Sequence, residues 1–287
     1  AGLLILLASI RIPMMVMGTP LTIPELHWML IGERMGNGYL IYSDIWDSIA
    51  PLSAACYWFI DLLFGKSVIA YQIISAFIVF FQSVIFNRTM RLNDVYLERT
   101  YVPGLIYIAV SSIFFDFFTL SPVLLGITFL IIPLRILFKL IREERTDEKI
   151  LLLGFYTGIA SLFHFPLFVF ILLAIFCLLL YTGVGLRSYL LLLFGFLLPV
   201  CLVTVFFFWF DAAGEFYRMF IGSFFSLQKT YFLNNKAILV LIAAPAVMLL
   251  FALFKVLTSR KFQNYQVKCK KIMFWWLIFA AAVCFFS

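Results

Sequence analysis

The residues best suited to chemistry lie in one polar stretch, Ile23 to Lys66, of a chain that is otherwise almost wholly apolar. Five of the chain's 14 acids fall there: Glu25, Glu33, Asp44, Asp47 and Asp61. Ionisable groups beside a bilayer are costly to desolvate, so a cluster of them usually serves a site. Glu25 follows Thr22-Ile-Pro, which fits a capping box in which the carboxylate satisfies a backbone N–H at a helix start. The same carboxylate at a membrane face also suits a general base or a metal ligand. Asp44 and Asp47 stand three apart after a Gly-rich turn. They read either as turn and cap residues or as a carboxylate pair facing Glu25, able to hold a divalent cation or to divide acid and base roles.

Further along, Asp116 interrupts Phe-Phe-Asp-Phe-Phe at the end of an apolar run, where an acid usually faces a cavity or a partner. His164 sits at a break before Pro166, and a lone histidine there is more often a hydrogen-bonded helix-end residue than a ligand. Arg11 and Arg34 carry guanidinium groups that suit phosphate, although Arg11 can equally snorkel to the interface. No P-loop, GxGxxG unit, HExxH or GxSxG is present.

These residues must be positioned by helices in lipid. The chain has 287 residues, 65% hydrophobic and 12% charged, with mean hydropathy +1.10. No soluble domain of that size hides so much apolar side chain. Apolar runs of about 20 residues recur without the two-residue alternation of a barrel strand. The expected fold is therefore all-α: a polytopic helical membrane protein of about 8–9 transmembrane helices forming a single domain over 1–287. The net charge of +7 does not point to nucleic acid, because the basic residues sit in short clusters between apolar runs. Cys56, Cys177, Cys201, Cys269 and Cys284 have no metal-like spacing and read as small packing residues. The chain starts at Ala1, and both ends fall inside apolar runs, so a piece of a longer protein is expected. The first run lacks the basic flank and cleavage site of a signal peptide.

The spacing predicts spans over about 1–17, 67–86, 101–118, 124–140, 151–163, 167–181, 189–210, 237–256 and from Ile272 on. Pro51 to Phe64 is too short to cross and is expected to lie at the interface. With that helix not crossing, loops 88–99, 139–149, 187 and 255–271 share one side and hold most Lys and Arg. Loops 18–66, 116–122, 164–166 and 211–236 share the other. The basic side is expected to be cytoplasmic, leaving the outer loop 18–66 facing the periplasm.

The order of these features resembles that of polyprenyl-phosphate-sugar-dependent glycosyltransferases of the GT-C fold. Arg11 near the outer end of the first span precedes Pro24-Glu25; Gly32-Glu33-Arg34-Met35 is similar to the family's first-loop helix. Gly38-Tyr39 and Tyr42-Ser-Asp44 follow, and Pro51-Leu52 leads to Leu63-Phe64-Gly65. Asp116 then falls in the second outer loop, and Ser121-Pro122-Val-Leu124 stands where such enzymes often carry Asp-Pro-Leu. The match covers roughly residues 1–140. Glu25 stands alone where the family has Asp or an Asp-Glu pair, and no Lys precedes Pro51.

The resemblance implies a bacterial inner-membrane enzyme that moves a sugar from a polyprenyl-phosphate lipid to an acceptor at the outer face. It assigns catalytic roles to Glu25, Asp44 and Asp116. Arg11, Arg34, Glu33, Tyr42 and His164 become substrate or phosphate contacts, and Asp44 with Asp116 would hold any divalent cation. The partners are the lipid donor, membrane lipid and other envelope proteins. The rival expectation is a non-catalytic membrane subunit of an envelope assembly that keeps a GT-C-like scaffold; a transporter is a third. The rival takes its support from the modest size and the two departures.

Overall fold

The computed structural model describes residues 2–18, 21–96, 100–113, 115–142, 146–222, 251 and 264–286. The predicted span 237–256, apart from Phe251, and residues 223–236 of the segment after Asp211, Lys229 among them, lie outside the described residues. So do Glu98, Arg99 and Arg260 of the basic loops.

The described residues form helices without a strand beyond one isolated bridge, Ile41 to Ile45. In order these are α1 (Gly2–Met17), α2 (Ile23–Gly36), α3 (Pro51–Phe64), α4 (Val68–Leu92), α5 (Val102–Ser111) and α6 (Pro122–Arg142). Then come α7 (Asp147–Phe163), α8 (Val169–Tyr181), α9 (Leu186–Trp209), α10 (Ala213–Phe216) and α11 (Asn264–Phe286). Short 3₁₀ turns at Phe115–Phe117 and Phe165–Phe168 link neighbours, and Tyr217–Ile221 forms a π turn.

Among the described residues three helices, α4, α6 and α9, are long and apolar enough to cross a membrane. The 25 residues of α4 rise about 37 Å, more than the ~30 Å hydrocarbon core. The apolar helices α1, α3 and α5 are shorter, as is Phe165–Tyr181. The class is thus a helical membrane protein. Its surface agrees: α9 buries only Leu192, Gly195, Pro199 and Phe207, while Leu193, Phe194, Leu197, Leu202, Val205, Phe206 and Phe208 face outward. A bilayer, unlike water, accepts that surface without cost.

The buried positions of α9 fall on one face and meet α7 through glycines. A Cβ at Gly154 would lie 2.1 Å from the Leu192 carbonyl oxygen, one at Gly158 2.5 Å from that of Phe196, and one at Gly195 2.3 Å from that of Leu151. Only hydrogen at these positions lets the two backbones approach, which is how apolar helices gain packing where lipid supplies no hydrophobic drive.

α4 uses the other device, a polar stripe. Gln82 donates to the Leu124 carbonyl and to Thr128 Oγ1 (both 2.8 Å) and accepts from Tyr107 Oη (2.8 Å). Ser83 donates to the Gly104 carbonyl (2.9 Å). These bonds tie α4 to α5 and α6. Each satisfies a polar group that would otherwise lie bare in an apolar interior.

The described parts of the two predicted loop sets gather at opposite ends of the bundle. At one end α2, α3, the 115–121 turn, the break at His164 and α10 pack together. Ser53 donates to the Phe163 carbonyl (2.6 Å), Tyr57 to that of Leu120, and Tyr42 lies against Phe207 and Phe216. At the other end Arg142 pairs with Asp94 (3.3 Å) and Arg187 with Asp147 (2.9 Å).

Candidate functional site

The predicted interfacial segment is α3 with the predicted bounds, and it pairs with α2 into a helical hairpin. Gly32 permits the pairing: a Cβ there would sit 2.7 Å from the Tyr57 carbonyl oxygen. Pro24 and Pro51 start the two helices, where a missing N–H costs nothing. The outer face of α3 shows Trp58, Phe59, Leu62, Leu63 and Phe64, an apolar strip suited to the headgroup boundary. Between the hairpin helices the loop 37–50 is folded by Tyr42, which has φ +69° and no exposure. Its hydroxyl donates to the Ile49 carbonyl, and burial, with Asp47 adding, pushes its pKa well above the ordinary range. Tyr42 therefore sits in the core of the loop, its hydroxyl already engaged, rather than facing a ligand.

Glu33, Arg34 and Asp44 come together. With Leu30, Asn37, Tyr39 and Ile45 they line a cleft of about 450 Å³. Asp44 is held there by its own turn, since the Leu40 N–H donates to Asp44 Oδ2 (2.8 Å). Glu33 takes an ion pair from Lys66 (2.7 Å), which the α2–α3 pairing brings alongside. Arg34 is exposed at the cleft. The cleft thus offers one guanidinium, two carboxylates, an amide and the half-exposed Tyr39 ring. That set can hydrogen-bond a polyol and pair with a phosphate oxygen.

Glu25 and Asp116 do not line this cleft. Glu25 is buried, and its Oε2 accepts from the Thr22 N–H (2.7 Å), so the capping geometry is formed. It also lies close enough to Tyr57 to help raise the phenol's pKa, after burial and Tyr71. Asp116 is exposed on the 3₁₀ turn after α5. Among the described residues no three His, Cys, Asp or Glu side chains gather as a ligand group, and of Asp44 and Asp116 only Asp44 lines the cleft.

Arg11 neither snorkels nor reaches the cleft. It is 1% exposed. Nη2 donates to the Phe117 carbonyl (2.6 Å) and Nη1 to Ser75 Oγ (3.0 Å), while Ser75 also donates to Phe117 (2.6 Å). The guanidinium stacks on the Phe118 ring at 5.2 Å. Arg11 thereby clamps the turn that carries Asp116, and its Nε is left without an acceptor among the described residues. His164 ends α7 and starts the next turn in extended backbone. Burial pushes its pKa down to about 4, so near neutrality the ring is uncharged.

The pairing of His27 with Asp47, which also accepts from the Ile49 N–H (2.8 Å), was not foreseen. Nor were the roles of Lys66, Asn37 and Tyr39 at the cleft. The signal available was Gly32-x-x-x-Gly36, a close-packing motif that fixes the hairpin and so brings Lys66 to Glu33. No family model, no functionally described protein and no solved structure matches this chain.

Proposed function

We propose that this protein is a membrane glycosyltransferase that moves a sugar from a lipid-phosphate donor to an acceptor at the outer face of a bacterial inner membrane. The observation that carries the reading is the cleft where Glu33, Arg34 and Asp44 meet beside an apolar interfacial helix. A polyprenyl chain stays in lipid, so its phosphate must react at the interface, where a helix such as α3 belongs. In this reading Arg34 pairs with the leaving phosphate, and Asp44 and Tyr39 orient the acceptor. A carboxylate, Asp44 or Glu25, takes the acceptor hydroxyl's proton as its oxygen attacks the sugar and the bond to phosphate breaks. Asp116 lies outside the cleft, on the turn that Arg11 holds. No step runs through a metal. The fold is of GT-C type with eight or nine spans, and loop 18–66 faces the periplasm.

A second reading, a non-catalytic envelope subunit, draws on the partners the acids already have. Glu25 caps its own helix, Glu33 pairs with Lys66, and Asp47 pairs with His27. One experiment separates the two. Sugar transfer from a polyprenyl-linked donor is measured in membranes carrying the wild type, Asp44→Asn or Glu25→Gln, with co-purifying proteins followed in parallel. The enzyme reading expects at least one variant to lose about 10²–10⁴ in rate while the protein stays folded, because Gln still accepts the capping N–H. Wild-type transfer in both variants, with the same proteins co-purifying, rejects catalysis by these carboxylates and leaves the subunit reading.

A further inference from the structure

The cleft between α2 and the loop 37–50 carries two charges that no other side chain has taken up. Of its lining residues, Glu33 is already paired with Lys66 (2.7 Å). Arg34 and Asp44 remain. Among the described residues the Arg34 side chain makes no hydrogen bond or ion pair, and the Asp44 carboxylate accepts only the Leu40 N–H, through Oδ2 (2.8 Å). The two line one cleft of about 450 Å³, are opposite in sign, and are not bonded to each other. The Asn37 amide and the Tyr39 hydroxyl beside them have no side-chain hydrogen bond among the described residues. A ligand that satisfies both charges at once carries an anion and a cation a short distance apart.

An apolar track leads into the cleft. Ile23, Leu26, Leu30 and Arg34 follow the spacing of one face of α2, and the three apolar residues are exposed. From Ile23 to Arg34 the helix rises about 16 Å. Leu30 ends the track and itself lines the cleft, together with Ile45 of the loop. An amphiphile laid along α2 therefore has its chain against Ile23 and Leu26 and its head between Arg34 and Asp44. The chemistry of that head follows from the donors and acceptors present. A guanidinium pairs with a phosphate through two N–H groups. A carboxylate suits a primary ammonium, which donates N–H to it. A quaternary ammonium is held by a cage of aromatic faces, and the cleft is lined by one ring, Tyr39. An anionic head without an amine would leave Asp44 facing like charge.

We propose that this cleft binds the phosphoethanolamine headgroup of a membrane phospholipid, with the phosphate on Arg34, the ammonium on Asp44 and an acyl chain along Ile23 and Leu26. The inference concerns binding and needs no sugar transfer. In the glycosyltransferase reading the headgroup takes the place at Arg34 that the donor phosphate takes, so the phospholipid is a competitor of the donor.

The test is the thermal midpoint of the purified chain in nonionic detergent. Phosphatidylethanolamine, phosphatidylcholine, phosphatidylglycerol, glycerophosphoethanolamine or glucosamine 1-phosphate is added. Phosphatidylethanolamine is expected to raise the midpoint clearly more than any of the others. Asp44→Asn keeps an oxygen for the Leu40 N–H and removes the charge, so it should lose the preference for phosphatidylethanolamine over phosphatidylglycerol. Arg34→Gln should lose most of the response to both. Native mass spectrometry of the unaltered protein serves if the variants do not fold; it should retain phosphatidylethanolamine over the other two lipids from an equal mixture. Equal responses to the three lipids, or equal retention, would overturn the proposal, as would a preference that survives Asp44→Asn. Protection by glycerophosphoethanolamine as strong as that by the lipid overturns the lipid in favour of the free headgroup; the same from glucosamine 1-phosphate overturns it in favour of an amino-sugar phosphate. Because no transfer is measured, failure here is distinct from failure of the glycosyltransferase reading.

Discussion

Two of the glycine seams between helices differ in what stands opposite the glycine. Between α7 and α9 the contact is reciprocal: Gly154 and Gly158 face the Leu192 and Phe196 carbonyls, and Gly195 faces that of Leu151. This seam, on the one buried face of α9, is where that outward-facing helix is held to the bundle. Between α2 and α3 the contact is one-sided. Gly32 meets the Tyr57 carbonyl, while Gly36 has only the flexible end of Asp61 at 3.3 Å. The first seam builds the bundle. The second holds a surface hairpin whose other edge, Glu33 and Arg34, stays open as a cleft. The same small-residue spacing thus serves rigidity in one place and the presentation of polar groups in another.

The sharpest way to break this comparison is alanine. In an exposed helix interior Gly→Ala gains about 1 kcal/mol from propensity. At Gly154 the added Cβ would meet backbone at 2.1 and 2.9 Å, and backbone cannot swing aside. Gly154→Ala is therefore expected to destabilise by about 3 kcal/mol, the upper end for overpacking, seen as a lower denaturation midpoint in detergent. A stabilised Gly154→Ala protein would show that α7 and α9 are not in this contact. Gly32→Ala should cost less, about 1 kcal/mol, because α3 lies at the surface and can shift. Its effect should be local. In a variant retaining Cys56 as the sole cysteine, half-buried on α3, thiol labelling should quicken while the global midpoint barely moves. Unchanged labelling would mean that the hairpin is as rigid as the inner seam.

Much of this frame was legible in the sequence because it rests on local chemistry. Pro51 and Gly65 bound α3 in both, and the Thr22-to-Glu25 spacing gave the cap. The clustering of Lys and Arg anticipated which loops share an end. The helical membrane class was legible too, and among the described residues three helices meet the length and apolarity a crossing needs, while runs such as Val102–Ser111 close after ten residues. The site was legible in part. Glu33, Arg34 and Asp44 were named and do meet. Tyr42 and Arg11 were named as ligand contacts and instead lie inside, one filling the loop core and one gripping a turn. Residue type says that a guanidinium can hold an oxygen; it does not say that the oxygen is a backbone carbonyl 106 residues away. That information lies in long-range packing, which no local pattern carries.

The smallest expected effect belongs to His164, where the two seams approach each other, for α7 ends there and Ser53 of α3 bonds the preceding carbonyl. Burial lowers the imidazole pKa from 6.5 to about 4. Above pH 6.5 the ring is neutral in folded and unfolded chains, and the group costs nothing. As pH falls below 6.5 the unfolded chain takes the proton first, so the folded state loses stability. The loss stops growing below about pH 4, where the folded ring is protonated too. Because the side chain keeps some exposure, solvent screening makes the loss smaller than the glycine effects. His164→Gln keeps a polar side chain without the titration. Its thermal midpoint should therefore fall less steeply than the wild type's between pH 6.5 and 4, and the two slopes should agree above 6.5. If the wild type shows no such excess slope, the folded ring holds its proton at the ordinary pH. His164 would then gain its charge as the pH falls through 6.5, and the phosphate-binding role read from the sequence would be cationic only below that pH.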